Sequence, residues 1–374
     1  MEKIHFGVGS FHFYSVFEGD KTKIYNEYVD EVRRILNTCS NINNIIISDN
    51  QAFKGNNPTD RLYTSESAES DTHSNSYNRR NGVYPSPVFF RIEFDLFIPH
   101  RVQKDLLRKS PRTETEYFKV YMIYDNYFPV TIVELKEPKD TCLPSDGVRV
   151  VREFLTKELD KKSEILNFKY MGPSPFHVEF MMFYKFQEEE DFLIRLLKKE
   201  ERGYDRYSFE INTNDESDYE ANKRSIYLSI ARELGFYYEL EQVCNRRNFN
   251  WTKIEVLVDM LLESHNLHFW NINRYFKVRS ILNELFYVIS KFERDEIFFK
   301  QIFNRTMQEI YSSEEFVFFK ELNTHQYDDF MDFPTEQVLR FVNTFEQRRL
   351  NLNEASSAII GGIVGALLTI FFAK

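Results

Sequence analysis

Nineteen consecutive residues without a charge, Ala355 to Ala373 (ASSAIIGGIVGALLTIFFA), constrain this chain more than any other feature. A helix of that length measures about 28 Å, close to the hydrocarbon core of a bilayer at about 30 Å. A buried soluble helix normally keeps a polar stripe, and this stretch has none. It also draws on small residues, holding three of the chain's twelve glycines. The expectation is one C-terminal transmembrane helix over 355–373. Arg340, Arg348 and Arg349 precede it and only Lys374 follows, so positive charge places the preceding body on the cytoplasmic side. The N-terminal residues, Met1 to Phe6, open no apolar run of signal-peptide type, which also weakens a lipid-anchor reading of the tail. Cys39, Cys142 and Cys244 are scattered and odd in number, as expected in a reducing compartment.

The 374 residues leave room for two further domains, and a hydrophobic content of 42% supplies their cores. The net charge of -10 excludes indiscriminate binding to nucleic acid or anionic lipid over the whole surface. Phe (37) and Tyr (22) are abundant, but both have AT-rich codons, so the excess is read as composition and not as a binding surface.

Residues 1–215 read as an α+β domain. Strand patterns run from Lys3 to Phe17, and a helix over Lys21 to Leu36 puts Ile24, Tyr28, Val32 and Leu36 on one side. Asn44 to Ser48 reads as a short buried strand. Residues 51–87 are polar and rich in Gly, Asn, Pro and Ser, which predicts a disordered loop or flap. From Val88 to Ile98, Phe90, Ile92, Phe94 and Leu96 alternate with Arg91, Glu93 and Asp95, predicting a strand with one wet face. Phe118–Tyr124 and Val130–Leu135 are its expected partners, followed by a helix over Val148 to Lys162 and a strand over His177 to Phe186. Glu188 to Asp191 at one end, with Lys198, Lys199, Arg202 and Gly203 at the other, predict a helix with dipole-matched charges and a glycine C-cap.

Residues 216–333 read as all-α. Thr252-Lys-Ile-Glu255 and Ser312-Ser-Glu-Glu315 have capping-box spacing. Val278, Leu282, Leu285, Ile289 and Phe292 form one helical stripe, and Phe298, Phe299, Ile302, Phe303 and Ile310 another; both are assigned to core. Pro334 sits in the first turn of a stalk helix over 334–354, with no Gly or Pro before Ala355, so stalk and span are expected to form one helix.

Three motifs bear on function. Ser357, Gly361, Gly365 and Thr369 recur every four residues and would put small side chains on one face of the span, suited to self-association. Arg101, Lys104, Arg108, Lys109 and Arg112 give the segment HRVQKDLLRKSPR five cations against one Asp, the candidate site for a nucleotide or nucleic-acid phosphate. Its alternative is a solvated basic helix or loop. Glu134-x-Lys136 at a strand end, preceded by Asp125, is similar in outline to the acidic pair and lysine of restriction-like nucleases. The motif is short and common by chance. His265 and His268 lack a third ligand nearby, and no P-loop, G-x-G-x-x-G, G-x-S-x-G or C-x-x-C occurs. No catalytic residue, metal site or cofactor is therefore assigned.

In layout, with a sensor-like α+β domain, a helical domain and one terminal span, the chain resembles the membrane effectors of bacterial anti-phage defence, of the CBASS and Hailong type. That resemblance implies a ligand-controlled oligomer that opens a pore in the bacterial inner membrane, with a partner protein encoded nearby. The alternatives from other classes are an adaptor whose span only sets location and a metal-dependent nuclease.

Overall fold

A computed structural model describes residues 2–15, 21–49, 62–64, 83–85, 90–125, 128–139, 141–159, 162–164, 166–170, 178–186, 193–201, 204–213, 219–265, 272–312, 317–328 and 332–347. The expected span and its small-residue face lie outside these. Among the described residues no helix is long and apolar enough to cross a membrane.

The chain divides into two compact units, Met1–Leu240 with Ser313–Gln326, and Glu241–Ser312 with Tyr327–Lys374. The first contains β1 (Glu2–Gly9), β2 (Phe11–Ser15), α1 (Lys21–Asn37), β3 (Ile42–Asp49), β4 (Leu62–Thr64), β5 (Val83–Pro85), β6 (Phe90–Phe97), α2 (His100–Leu107), β7 (Tyr117–Tyr124), β8 (Val130–Leu135), α3 (Pro144–Leu159), β9 (Leu166–Tyr170), β10 (Val178–Phe186), β11 (Leu193–Glu201) and β12 (Tyr204–Thr213). Eight strands form one sheet in the order β11-β12-β10-β1-β8-β7-β6-β3, and β4-β5-β2-β9 form a smaller one. Within the large sheet only β10 and β12 run parallel.

Period-two alternation sends side chains to two cores. Phe90, Ile92, Phe94 and Leu96 of β6 meet Tyr28, Val32 and Leu36 of α1 and Val150, Val151 and Phe154 of α3. Ile24 lies outside the residues whose side chains are described. On the opposite face, Phe6 of β1, Ile132 of β8, Phe180 of β10 and Phe209 of β12 meet Ile226, Tyr227, Ile230 and Leu234 at the start of α4 (Tyr219–His265). Each fully buried side chain of this size contributes about 2 kcal/mol, so both faces are needed. Gly7 and Gly9 leave β1 without side chains where α3 crosses it: a Cβ on Gly7 would stand 2.5 Å from Val148 Cγ2 and 2.7 Å from the Pro144 oxygen.

Several expectations are corrected. The 188–203 helix is not formed; β11 is a strand paired antiparallel with β12, Ile194 opposite Ile211 and Leu196 opposite Phe209. Packing of the half-buried Ile194 and Leu196 against the core of the sheet outweighs the charge arrangement, which mimics a helix. On the face of β6 expected to be wet, Glu93 is only 2% exposed, while Arg91 and Asp95 are half-buried. β3 is longer than expected and forms the edge of the sheet, bulged between Asn43 and Ile46, with Ile46 52% exposed. Within 51–87, β4 and β5 pair with each other.

The helical region also divides differently. Thr252 to Glu255 cap nothing: they lie inside the 47-residue α4, where Thr252 Oγ1 donates to the Asn248 oxygen (3.0 Å) and Glu255 accepts from Trp251 Nε1 (2.8 Å). Residues 219–240 of α4 belong with the sheet, so the first unit extends well past residue 215. Ser312 ends α5 (Ile272–Tyr311), its amide reaching the Gln308 oxygen. The helix that follows, α6 (Lys320–Asp328), takes its cap from Glu233 of α4, whose carboxylate accepts the amides of Phe318 and Phe319 at 2.8 and 2.7 Å.

The second unit packs Ile254 and Leu261 of α4 against Val278, Leu282, Leu285, Ile289 and Phe292 of α5, closed by Val342 from a helix over 335–347. The two stripes expected on separate helices share α5. Phe303 and Ile310 are buried as expected, but Phe298 is 63% exposed.

Candidate anion-binding site

The basic segment forms α2 and the turn after it. Val102, Leu106 and Leu107 pack towards the core, and Gln103 is fully buried. Gln103 Nε2 donates to the oxygens of Ile98 (2.7 Å) and Thr115 (2.8 Å), and its Oε1 accepts from Thr113 Oγ1 (2.6 Å). Its polar groups are thereby satisfied, and α2 is pinned to Ile98 before it and to the 113–115 segment that leads into β7. The Glu116 carboxylate accepts the His100 amide (2.6 Å) at the helix start, and Arg108 ends the helix in the left-handed region (φ 53°).

Arg101, Lys104, Arg108, Lys109 and Arg112 are all exposed. Helical spacing places Arg101, Lys104 and Arg108 on one face of α2. Lys109 and Arg112 gather instead at the start of α3. There the buried Asp146 carboxylate receives Lys109 Nζ at 3.2 Å and the Arg112 amide at 3.0 Å, with Arg149 Nη1 at 3.9 Å. The sequence reading missed Gln103, Asp146 and Arg149. Only Arg149, one turn after Asp146, had a local signal.

This geometry sets what the segment can bind. Exposed charge pairs contribute about 1 kcal/mol or less each, so one phosphate would be held weakly. A ligand with several phosphates, spanning α2 and its turn, gathers enough contacts.

The second candidate cluster separates. Lys119 of β7 pairs in register with Glu134, while Asp125 lies beyond Tyr124 at the far end of β7. Five residues of strand, from Lys119 to Tyr124, measure about 17 Å. One divalent ion needs its carboxylate oxygens within about 2.6 Å, so Asp125 and Glu134 cannot share it. Asp125 pairs with Arg232 (3.1 Å). Buried Glu134 receives Lys136 Nζ (2.6 Å) and the hydroxyls of Tyr121 (3.1 Å) and Tyr227 (3.4 Å), with Lys223 Nζ at 3.9 Å. It braces β7, β8 and α4. His265 closes α4, and His268 lies outside the described residues. Among the described residues no group of three His, Cys, Asp or Glu side chains is placed to hold a metal.

Comparison with family models, with curated proteins and with solved structures gives no match.

Proposed function

We propose that this chain is an oligomeric membrane effector, anchored by the 355–373 span, in which a polyanionic ligand on the α+β unit controls opening of a membrane pore. The observation that carries the reading is the uncharged stretch Ala355–Ala373 with its Ser357, Gly361, Gly365, Thr369 face. The exposed row Arg101, Lys104 and Arg108, extended by Lys109 and Arg112, supports the ligand role, because α2 is held rigid by Gln103 while its cations remain in solvent. Between the helix over 335–347 and Ala355 the sequence contains no Gly or Pro. The layout shared with CBASS- and Hailong-type effectors fits the same scheme, with a nearby-encoded partner supplying or relaying the signal. One helix cannot enclose a water path, so the activity requires several copies.

The test is induction in bacteria of the full chain, of a version ending at Asn353, and of Gly361→Leu with Gly365→Leu. Membrane potential and fractionation are followed together. The expected result is depolarisation by the full chain alone, with the leucine variant retained in membranes but silent. A full chain that stays out of the membrane fraction overturns the proposal. Leucine variants as active as the parent remove the role of the small-residue face.

A further inference from the structure

His5 and Cys142, 137 residues apart, meet inside the first unit, with Cys142 Sγ 3.2 Å from His5 Nδ1. Both are buried, at 1% and 2% exposure. His5 lies on the face of β1 that α3 crosses, the face left bare at Gly7 and Gly9. Cys142 comes two residues before Pro144 opens α3. Strand register adds a third side chain: Met181 of β10 stands directly opposite His5. Opposed residues of an antiparallel pair project to the same face, with Cβ atoms about 5 Å apart. Met181 is buried as well, and its unbranched thioether is long enough to cover that distance. A thiol, an imidazole and a thioether from three separate elements are thus brought to one buried face of the sheet.

The donor set decides what these groups can hold. A thiol beside an imidazole is also the arrangement of a nucleophile and its base, but two side chains so deeply buried reach no substrate. A metal ion is small enough for the space between them. Zinc takes four ligands drawn from Cys, His and carboxylates, and among the described residues no third such side chain joins this pair. Thiolate and thioether sulfurs with one imidazole suit Cu(I) instead. Leu135 of β8, opposite His5 on its other side and 2% exposed, keeps the surroundings apolar, which disfavours ions that prefer oxygen and water. Thiolate and imidazole ligands at about 2.3 and 2.0 Å from one ion lie about 3.5–3.7 Å apart. The observed 3.2 Å suits the protonated pair, and a side-chain shift of about half an ångström admits the ion.

We propose that Cys142, His5 and Met181 form a three-coordinate Cu(I) site, with the Cys142 thiolate, His5 Nδ1 and the Met181 thioether as ligands. On binding, copper replaces the thiol proton, which leaves to solvent, and the ion stays in the same oxidation state. Copper then ties β1, β10 and the segment leading into α3 together, so it stabilises the first unit by binding the folded chain alone. The site goes beyond the membrane reading and is independent of it, since all three ligands lie within the first unit and none belongs to the basic row on α2.

The test uses the full chain in detergent micelles with Cys39→Ala and Cys244→Ser, which leaves Cys142 as its one thiol. Cu(I), kept reduced by ascorbate under nitrogen, is titrated in competition with bicinchoninate. The expected result is one tightly held ion per chain, a thiolate-to-copper absorption in the near ultraviolet and a higher thermal unfolding midpoint. X-ray absorption at the copper edge should count two sulfurs and one imidazole nitrogen. Cys142→Ser, which keeps a hydroxyl beside His5, should abolish the absorption and weaken binding by about a hundredfold or more. Met181→Leu, of similar volume, should weaken it about tenfold while the metal-free protein unfolds at the same temperature. Circular dichroism of each metal-free variant checks the fold; if Cys142→Ser does not fold, Met181→Leu and the copper-edge spectrum of the parent decide. Cys142→Ser binding as tightly as the parent, Met181→Leu without effect, or a spectrum lacking the imidazole overturns the site. Zn(II) raising the unfolding midpoint as far as Cu(I) overturns the choice of ion.

Discussion

Arg247 of α4 and Glu296 of α5, forty-nine residues apart, form a two-pronged ion pair through Nε–Oε1 and, at 2.7 Å, Nη2–Oε2. Their side chains are 9% and 18% exposed, so the pair is largely shielded from water. The Arg247 guanidinium also lies 5.2 Å from the centre of the Phe333 ring, which stacks on Trp251 at 4.9 Å. Glu296→Ala leaves that guanidinium without its carboxylate and should cost about 2–3 kcal/mol. Arg247→Met with Glu296→Leu should recover most of the loss, because no buried charge remains. Urea unfolding of the three variants checks both values.

Glu233 carries the start of α6 from a distance of 85 residues. Its buried carboxylate takes two amides, and Asn323 Nδ2 donates to its backbone oxygen at 3.1 Å. Glu233→Ala leaves both amides unsatisfied at a cost of about 2 kcal/mol. Hydrogen exchange should show faster exchange at Phe318 and Phe319 in that variant, with the 254–292 core unchanged.

These two contacts also mark how far the sequence could be read. β6 was legible because four apolar residues alternate without interruption, and the α5 stripe from Val278 to Phe292 because its spacing suits only a helix. β11 was not. Leu193 and Leu197 interrupt its alternation, while acid before base and Gly203 after imitate helix ends. The four residues Thr252 to Glu255 have the right letters for a cap, yet the helix runs straight through them. At the candidate site the five cations were visible as composition, but what positions them was not: Asp146 reaches Lys109 and Arg112 across 37 and 34 residues. Glu134 and Asp125 looked like a pair because they are near in sequence, and strand register alone sets them apart.

Gly7 marks the closest approach of α3 to the sheet. A methyl group there meets Val148 and the Pro144 backbone, and the backbone atom cannot rotate away. Gly7→Ala should therefore destabilise the first unit by about 2 kcal/mol. Gly7→Ala with Val148→Ala should recover only part of this, since the Pro144 oxygen remains. Thermal unfolding of the two variants decides it.

Tyr121, Tyr124 and Tyr227 set an alkaline limit on stability. Burial is the main reason all three hydroxyls are held well above their ordinary value of 10.0. The Glu134 charge pushes Tyr121 and Tyr227 further in the same direction. At Tyr124, hydrogen bonds with Tyr28 and the Phe13 backbone oppose the shift without cancelling it. Once unfolded, each tyrosine loses its proton near pH 10, whereas in the folded chain it keeps it. The unfolded state then binds fewer protons, so stability is fully present below about pH 10 and falls as pH rises above it. Tyr121→Phe should flatten that fall by removing one of the three groups, while lowering stability at pH 7 by about 1 kcal/mol through the lost hydrogen bond to Glu134. Denaturant unfolding at pH 7 and pH 11, with tyrosinate absorbance followed across the transition, measures both effects. Ionisation of these hydroxyls before unfolding, or an unchanged slope in Tyr121→Phe, would rule the account out.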